Sequence, residues 1–268
     1  MSFQPIVPLT GYVGWRFLER TLEAQQTAFS NSQPIMRATD YFRANIGDVR
    51  TPGDLVNDRQ LLSVALGAFG LDDDINNRAF IQKVLEDGTQ PPDALANRLA
   101  DNRYADFSRA FGFGDLPLPN TILPSFATDI IDRFEGQQFA RAVGDQNNDL
   151  RLATNVNAGL GDIVERNTTN VGQWFAIMGN APLREVFQTA LGLPNSIAGI
   201  EIDRQREIFQ ERARAVFGTD QVSEIAQPDK EDDVIRLFLI RSEAGSFAAS
   251  TGGSTALALL RSSPRFFN

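Results

Sequence analysis

Paired carboxylates at helical spacing are the residues of this chain best suited to acid–base catalysis. Asp132 with Glu135, and Asp203 with Glu207, lie three or four positions apart, so each pair would share a helix face. Such pairs can support acid–base catalysis without histidine. Arginines adjoin both pairs, however, and the spacing is equally that of an ordinary solvated face, which we favour. We therefore assign no catalytic residue, and a carboxylate-based enzyme ranks third among our hypotheses.

Two acidic runs resemble calcium loops but lack the residues that such loops require. Residues 145–156 place acidic or amide side chains at positions one, three and five of an EF-hand loop. Leucine and valine then occupy the positions of the required glycine and the bidentate glutamate. The run over residues 72–83 also lacks the glycine and the glutamate at these positions. We expect no metal and no cofactor at either run.

Composition excludes further classes of protein. The 268 residues include neither cysteine nor histidine, which removes disulfides, thiol catalysis, histidine-based triads and the usual zinc sites. The formal charge of −9 disfavours nucleic acid as a partner, because phosphates bind basic surfaces. We find no apolar run long enough to insert into a membrane and no cleaved secretory signal at the start.

Hydrophobic periodicity predicts an all-α protein, a multi-helix orthogonal bundle with loop-rich termini. Its central stretch is Leu61 to Glu86, in which an apolar helix ends at Gly70-Leu71 and an acidic turn leads to another helix. Val186 to Gly218 repeats that order, with a second Gly-Leu at Gly192. The sequence therefore predicts a duplicated helix-turn-helix hairpin. A single helix, capped by Thr51 and reaching Phe69, should form the first half of the first copy.

The chain divides into three parts by composition. Residues 1–34 should be an extended segment followed by a helix, residues 35–244 a helical domain, and residues 245–268 a flexible tail. The halves of the helical domain should meet in the glycine- and proline-rich stretch 112–124, which is too apolar for a free linker. Truncation before Pro34 or after Ala244 should leave the domain folded.

Two groups of apolar residues are candidates for binding a partner. A helix from Tyr12 to Phe29 has one apolar face, which packs either on its own domain or on a partner subunit; the residues of this face are Trp15, Leu18, Leu22 and Phe29. Phe266 and Phe267 lie on the tail, where they either fold back or anchor a partner.

Long ordered motifs give this chain a family resemblance. DYFRANIGDVRTPGDLVNDRQLLSVALGAFGLDDDINNRAFIQKVLEDG, LANRLADNRYADFSRAFGF and PDKEDDVIRLFLIR resemble, in order, a bacterial domain-of-unknown-function family, the one numbered 1217. The resemblance covers about residues 40–241. It implies a helical protein of alphaproteobacteria, often encoded among flagellar genes and described as flagellar. It brings no established activity and no catalytic residues.

The resemblance and the missing catalytic chemistry lead to a non-enzymatic flagellar structural or assembly protein as the first hypothesis. Its partners would be other flagellar or export proteins, self-association stays open, and the protein would be exported to the flagellum without a cleaved signal. The apolar run Ala256 to Leu260 is too short for the terminal helix of a rod, hook or filament subunit, which favours an accessory role. The alternative is a cytoplasmic chaperone or regulator of flagellar export. Disordered termini would favour the first hypothesis, and a stable groove with ordered termini the alternative.

Overall fold

The computed structural model describes residues 3–166 and 169–262, and its regular secondary structure there is entirely helical. The helices before the central loop are α1 (Gly11–Ser30), α2 (Gln33–Asn45), α3 (Pro52–Asn57), α4 (Arg59–Gly67), α5 (Arg78–Asp87), α6 (Leu95–Arg98) and α7 (Arg103–Phe111). Those after it are α8 (Phe126–Gly144), α9 (Asn148–Thr154), α10 (Val156–Arg166), α11 (Asn170–Gly179), α12 (Ala181–Ala190), α13 (Ile202–Phe217), α14 (Val222–Ile225) and α15 (Pro228–Ser262). The all-α prediction is confirmed.

Two large hydrophobic clusters hold the helices together, and α8 belongs to both. One cluster is drawn from residues 42–134 and includes Phe134 of α8. The other joins α1 to residues 139–239 and includes Phe139 of the same helix. Residues 112–125 do form a loop, but the cores separate within α8, because a 19-residue helix can bury one end in each core.

The two sequence repeats share the structure of their turns. The turn after each first helix contains a glycine in the left-handed region, Gly70 with φ 65° and Gly192 with φ 67°. The backbone N–H of the next leucine donates to the carbonyl five residues earlier, at 3.0 Å for Leu71 and 2.9 Å for Leu193. This is the six-to-one bond of a Schellman motif. The helices on either side pack mainly on other elements, α5 on α3 and α7, and α12 on α15.

The helix expected to run from Thr51 to Phe69 is interrupted. Thr51 forms the predicted cap, here a complete capping box with Asp54. Asp58 then adopts an extended conformation and caps α4, since its carboxylate accepts from the N–H groups of Gln60 and Leu61 at 2.9 and 3.0 Å. A side chain that caps a new helix ends the old one, and the apolar spacing alone did not reveal it.

Helix α1 is part of the second core. Trp15, Leu18 and Phe29 are buried there, and Leu22 packs against them partly buried. The helix lies on α8, α9 and α15. Of the two alternatives, the structure therefore has this face packed on its own domain, and residues 1–34 do not form a separate part. The four residues considered for a partner are occupied by the chain's own core.

Helix α15 differs most from the expectation. It runs for 35 residues through Ser262, where the sequence indicated a flexible tail from residue 245. The tail prediction rested on Gly252-Gly253, but two glycines cost a helix only about 1 kcal/mol each beside good helix formers such as Ala256 to Leu260. Phe266 and Phe267 lie outside the described residues. Across the described part of the chain, no helix has the length and apolar character to cross a membrane.

Candidate functional site: an apolar loop and a polar cleft

The loop over residues 112–125 presents aliphatic side chains to solvent. Four of them are between 40% and 63% exposed, namely Leu116, Leu118, Ile122 and Leu123. Single exposed leucines are common on protein surfaces, but four within eight residues form a local apolar patch. We call these four residues the loop patch. Water is a poor environment for such a patch, so its chemistry suits contact with another protein.

Two hydrogen bonds, one of them buried, hold this loop against the first core. The Thr121 hydroxyl is buried and donates to the Val49 carbonyl at 2.7 Å. The Asn120 amide donates to the carbonyl of Ala110 at 2.9 Å. Gly114 lies so close to Gly88 that an added Cβ would fall 2.4 Å from the Gly88 nitrogen. The patch is therefore supported by a fixed backbone, which lowers the entropy cost of binding.

Asp115 anchors the start of the loop. Its carboxylate accepts from the N–H and the hydroxyl of Thr89 at 2.6 and 2.8 Å, and from the Gln90 N–H at 3.0 Å. Burial acts to raise the pKa of Asp115, but these donors outweigh burial and hold the pKa below its usual value. The carboxylate thus stays ionised, and the anchor holds, at neutral pH.

A polar cleft of about 790 Å³ lies where the two cores meet. Its walls come from the turn after α4, the start of α7, the middle of α8, α9, α10 and the start of α12. Asp132, one of the candidate catalytic carboxylates, lines the cleft but is exposed. Its predicted partner Glu135 accepts instead from the Ser30 hydroxyl at 2.6 Å. The structure does not bring this pair together in a buried site.

The second carboxylate pair lies on a solvated helix face. Glu207 forms an ion pair with Arg204 at 2.8 Å, and Asp203 lies 3.9 Å from Arg206. Both carboxylates are more than half exposed. Their arrangement matches the ordinary solvated face that the sequence favoured.

The acidic runs that resembled calcium loops are used for packing. Asp72 accepts from the Gln138 amide at 2.7 Å and pairs with Arg141 at 3.0 Å. Asn147 caps α9, and Asp149 accepts from the Ser242 hydroxyl at 2.5 Å. Among the described residues, no three acidic side chains converge as metal ligands would.

Comparison with known families identifies the chain. A model of a family described as protein of unknown function, DUF1217, matches residues 68–230. The chain belongs to this family. The DUF1217 segment runs from the turn after α4 to the start of α15, so it includes the apolar loop and most of the cleft walls. The family resemblance is thereby confirmed, and the flagellar association stays a prediction.

A solved structure shares the DUF1217 fold. The crystal structure of a protein from Agrobacterium tumefaciens aligns with a TM-score of 0.72 and 24% sequence identity, covering 90% of this chain and 98% of that one. At this identity the likeness concerns the fold alone. No curated protein matches the chain.

Sequence reasoning identified neither the loop patch nor the cleft as a candidate site. The loop patch had a signal, since its leucines and isoleucine stand among prolines in a stretch too apolar for a linker. The cleft had none, because residues far apart in sequence form it. Two further exposed apolar residues lie on α15: Ile240, and Phe247 with 71% exposure.

Proposed function

We propose that this DUF1217 chain is a non-enzymatic structural or assembly protein of the bacterial flagellum that acts by protein–protein interaction. The loop patch is the observation that carries the interaction, because its four exposed aliphatic side chains lie on a loop that a buried hydrogen bond from Thr121 holds in place. The flagellar setting rests on the family resemblance.

Helix α15 offers a second contact surface. Ile240 and Phe247 are seven positions apart, so they lie on the same face of the helix, and both are exposed. With 35 residues the helix is about 50 Å long. The apolar run Ala256 to Leu260 is thus part of a long helix, and its shortness no longer argues against a rod, hook or filament subunit. The proposal therefore covers both an accessory protein and such a subunit.

The docking of α1 supports the second candidate, a cytoplasmic chaperone or regulator of flagellar export. The Thr10 hydroxyl donates to Glu243 at 3.3 Å, and the Tyr12 hydroxyl donates to Asp232 at 3.0 Å. These contacts attach the first helix to α15, and ordered terminal helices suit a protein that offers a preformed surface to export substrates.

Cell fractionation distinguishes the two candidates. The protein should be detected by immunoblot in purified hook–basal bodies, in filaments or in culture supernatant, and this recovery should disappear in a strain without the flagellar export apparatus. A cytosolic enzyme serves as the lysis control. Strictly cytosolic recovery in both strains would overturn the structural role and leave the chaperone or regulator.

A further inference from the structure

One arginine in the cleft between the two cores differs from the others in its ion pairing. Among the described residues that line it, four are arginines, and three have a carboxylate within 3.0 Å: Arg103 with Asp101, Arg133 with Asp162, and Arg141 with Asp72. Arg151 forms no ion pair with any residue in the described part of the chain. Among the described lining residues, Arg151 is thus the arginine without a carboxylate at ion-pair distance.

The guanidinium of Arg151 keeps one edge available. Its Nε and Nη2 atoms donate to Oδ1 of Asn148, at 3.0 and 2.7 Å. The opposite edge, between Nη1 and Nη2, retains N–H groups for which no described residue supplies an acceptor. Two parallel N–H groups at this edge match the two oxygens of a carboxylate or a phosphate.

The position of Arg151 is fixed by its neighbours. Its aliphatic stem lies against the Cα of Gly144 in α8, where an added Cβ would fall 2.5 Å from Cδ of Arg151. Asn147 caps α9, so the backbone that carries the arginine is fixed as well. Only a residue without a side chain at 144 leaves room for this conformation, and the guanidinium is therefore placed before any ligand arrives.

The local electrostatics favour an added anion. Burial lowers the pKa of Arg151, Glu185 opposes that change, and the nearby positive charge of Arg103 adds to it. An anion bound beside the guanidinium would stabilise its charged form and so offset the cost of burial. Asn155 and Asn180 line the same cleft and carry neutral amide groups.

Charges at the cleft limit what can enter. Asp73, Asp132 and Glu165 line it and are exposed, so they would repel a long polyanion such as nucleic acid. A compact ligand with one oxyanion group can reach Arg151 at a smaller electrostatic cost. The cleft volume of about 790 Å³ is also in the range of small-molecule sites.

We propose that this cleft binds a small molecule through an oxyanion, a phosphate or carboxylate group, held at the Nη1–Nη2 edge of Arg151. This site is separate from the loop patch and does not depend on the proposed flagellar role.

Titration calorimetry on the full chain tests the proposal, with inorganic phosphate and succinate as separate probes at constant ionic strength. We expect saturable binding of at least one probe. Binding of phosphate alone would identify a phosphate ligand, and binding of succinate alone a carboxylate. The substitution Arg151→Gln should weaken binding about tenfold or more, because charge-assisted hydrogen bonds are lost. Arg204→Gln is the matched control, since Arg204 is exposed and paired with Glu207, and it should bind as the wild type does.

Two further variants keep the test decisive. Gly144→Ala leaves the guanidinium in the chain but displaces it, so binding should weaken while the arginine count is unchanged. Arg151→Lys keeps the positive charge but lacks the planar guanidinium, so it should bind the probes more weakly than the wild type does. This variant replaces Arg151→Gln if circular dichroism shows that Arg151→Gln does not fold. Absence of saturable binding for both probes, or equal binding by the wild type and the folded Arg151 variants, would overturn the proposal.

Discussion

The hydroxyl of Tyr104 donates a 2.6 Å hydrogen bond to Oδ2 of Asp74. This bond joins the first turn of α7 to the acidic turn after α4, two elements that are 30 residues apart in sequence. Burial and then the Asp74 carboxylate raise the pKa of Tyr104 to about 12, because both disfavour the charged phenolate. The same turn contacts α8 through Asp72, so its acidic side chains connect it to two other helices, α7 and α8.

The Tyr104 pKa leads to a prediction about alkaline stability. The folded-state pKa lies above the ordinary value of 10.0, so the contribution of this group to the free energy of unfolding is full below about pH 10. It should be lost as the pH rises through about 12. Spectrophotometric titration of the phenols should show that Tyr104→Phe removes a phenol titrating near pH 12. Loss of a phenol that titrates near pH 10 would contradict the assigned environment.

The shared turn of the two repeats can be tested by paired substitutions. Gly70→Ala and Gly192→Ala should each lower the free energy of unfolding by about 1–2 kcal/mol, because alanine is strained in the left-handed conformation of both positions. Gly136→Ala is the control, since this helical glycine has open space around its Cβ position and alanine favours helix. Urea denaturation measures all three. Equal effects at the three positions would show that the turns do not require glycine.

Burial of α1 predicts opposite behaviour for two of its residues. Leu18→Ala should lower the free energy of unfolding by about 2–5 kcal/mol, because Leu18 is fully buried in the second core. Val13→Ala, on the exposed side of the same helix, should change it by no more than about 0.5 kcal/mol. Urea denaturation of both variants is the measurement. A small effect of Leu18→Ala would mean that α1 does not depend on this core.

Truncation distinguishes the two ends of the described chain. Removal of residues 1–33 should abolish cooperative thermal unfolding, because it takes Trp15, Leu18 and Phe29 from the core. This reverses the expectation from the sequence. Truncation after Ala244 should preserve cooperative unfolding, since residues 245–247 are exposed and Leu239 is the last buried residue of α15 among those whose burial is described. Thermal unfolding of both variants is measured by circular dichroism. Cooperative unfolding of the variant without residues 1–33 would contradict the packing of α1 on the core.

Local signals in the sequence were sufficient for some of these features. Thr51 marked the cap of α3, and the two Gly-Leu pairs at residues 70 and 192 marked both turns. Such features depend on neighbours within a few residues, so the sequence contains them directly. The loop over residues 112–125 was found for the same reason, through its glycines and prolines.

Features that depend on distant residues could not be predicted. The apolar face of α1 was visible, but its periodicity does not say whether Leu18 meets its own core or a partner. The position of the Arg151 side chain depends on Gly144 in another helix, and its lack of an ion pair depends on where the folded chain places the carboxylates. Each outcome is decided by the tertiary neighbourhood.

Substitutions in the loop patch test most directly whether the protein acts by assembling with flagellar components. A strain carrying Leu118→Asp and Leu123→Asp should lose co-purification of the protein with hook–basal bodies, because charged residues replace the apolar contact. A strain with Ile200→Asp and Ile202→Asp, which are exposed on another element, is the matched control and should retain co-purification. Both variant proteins should melt as the wild type does. Equal recovery of the two variants with hook–basal bodies, or recovery of the wild type only in the cytosol, would contradict the account.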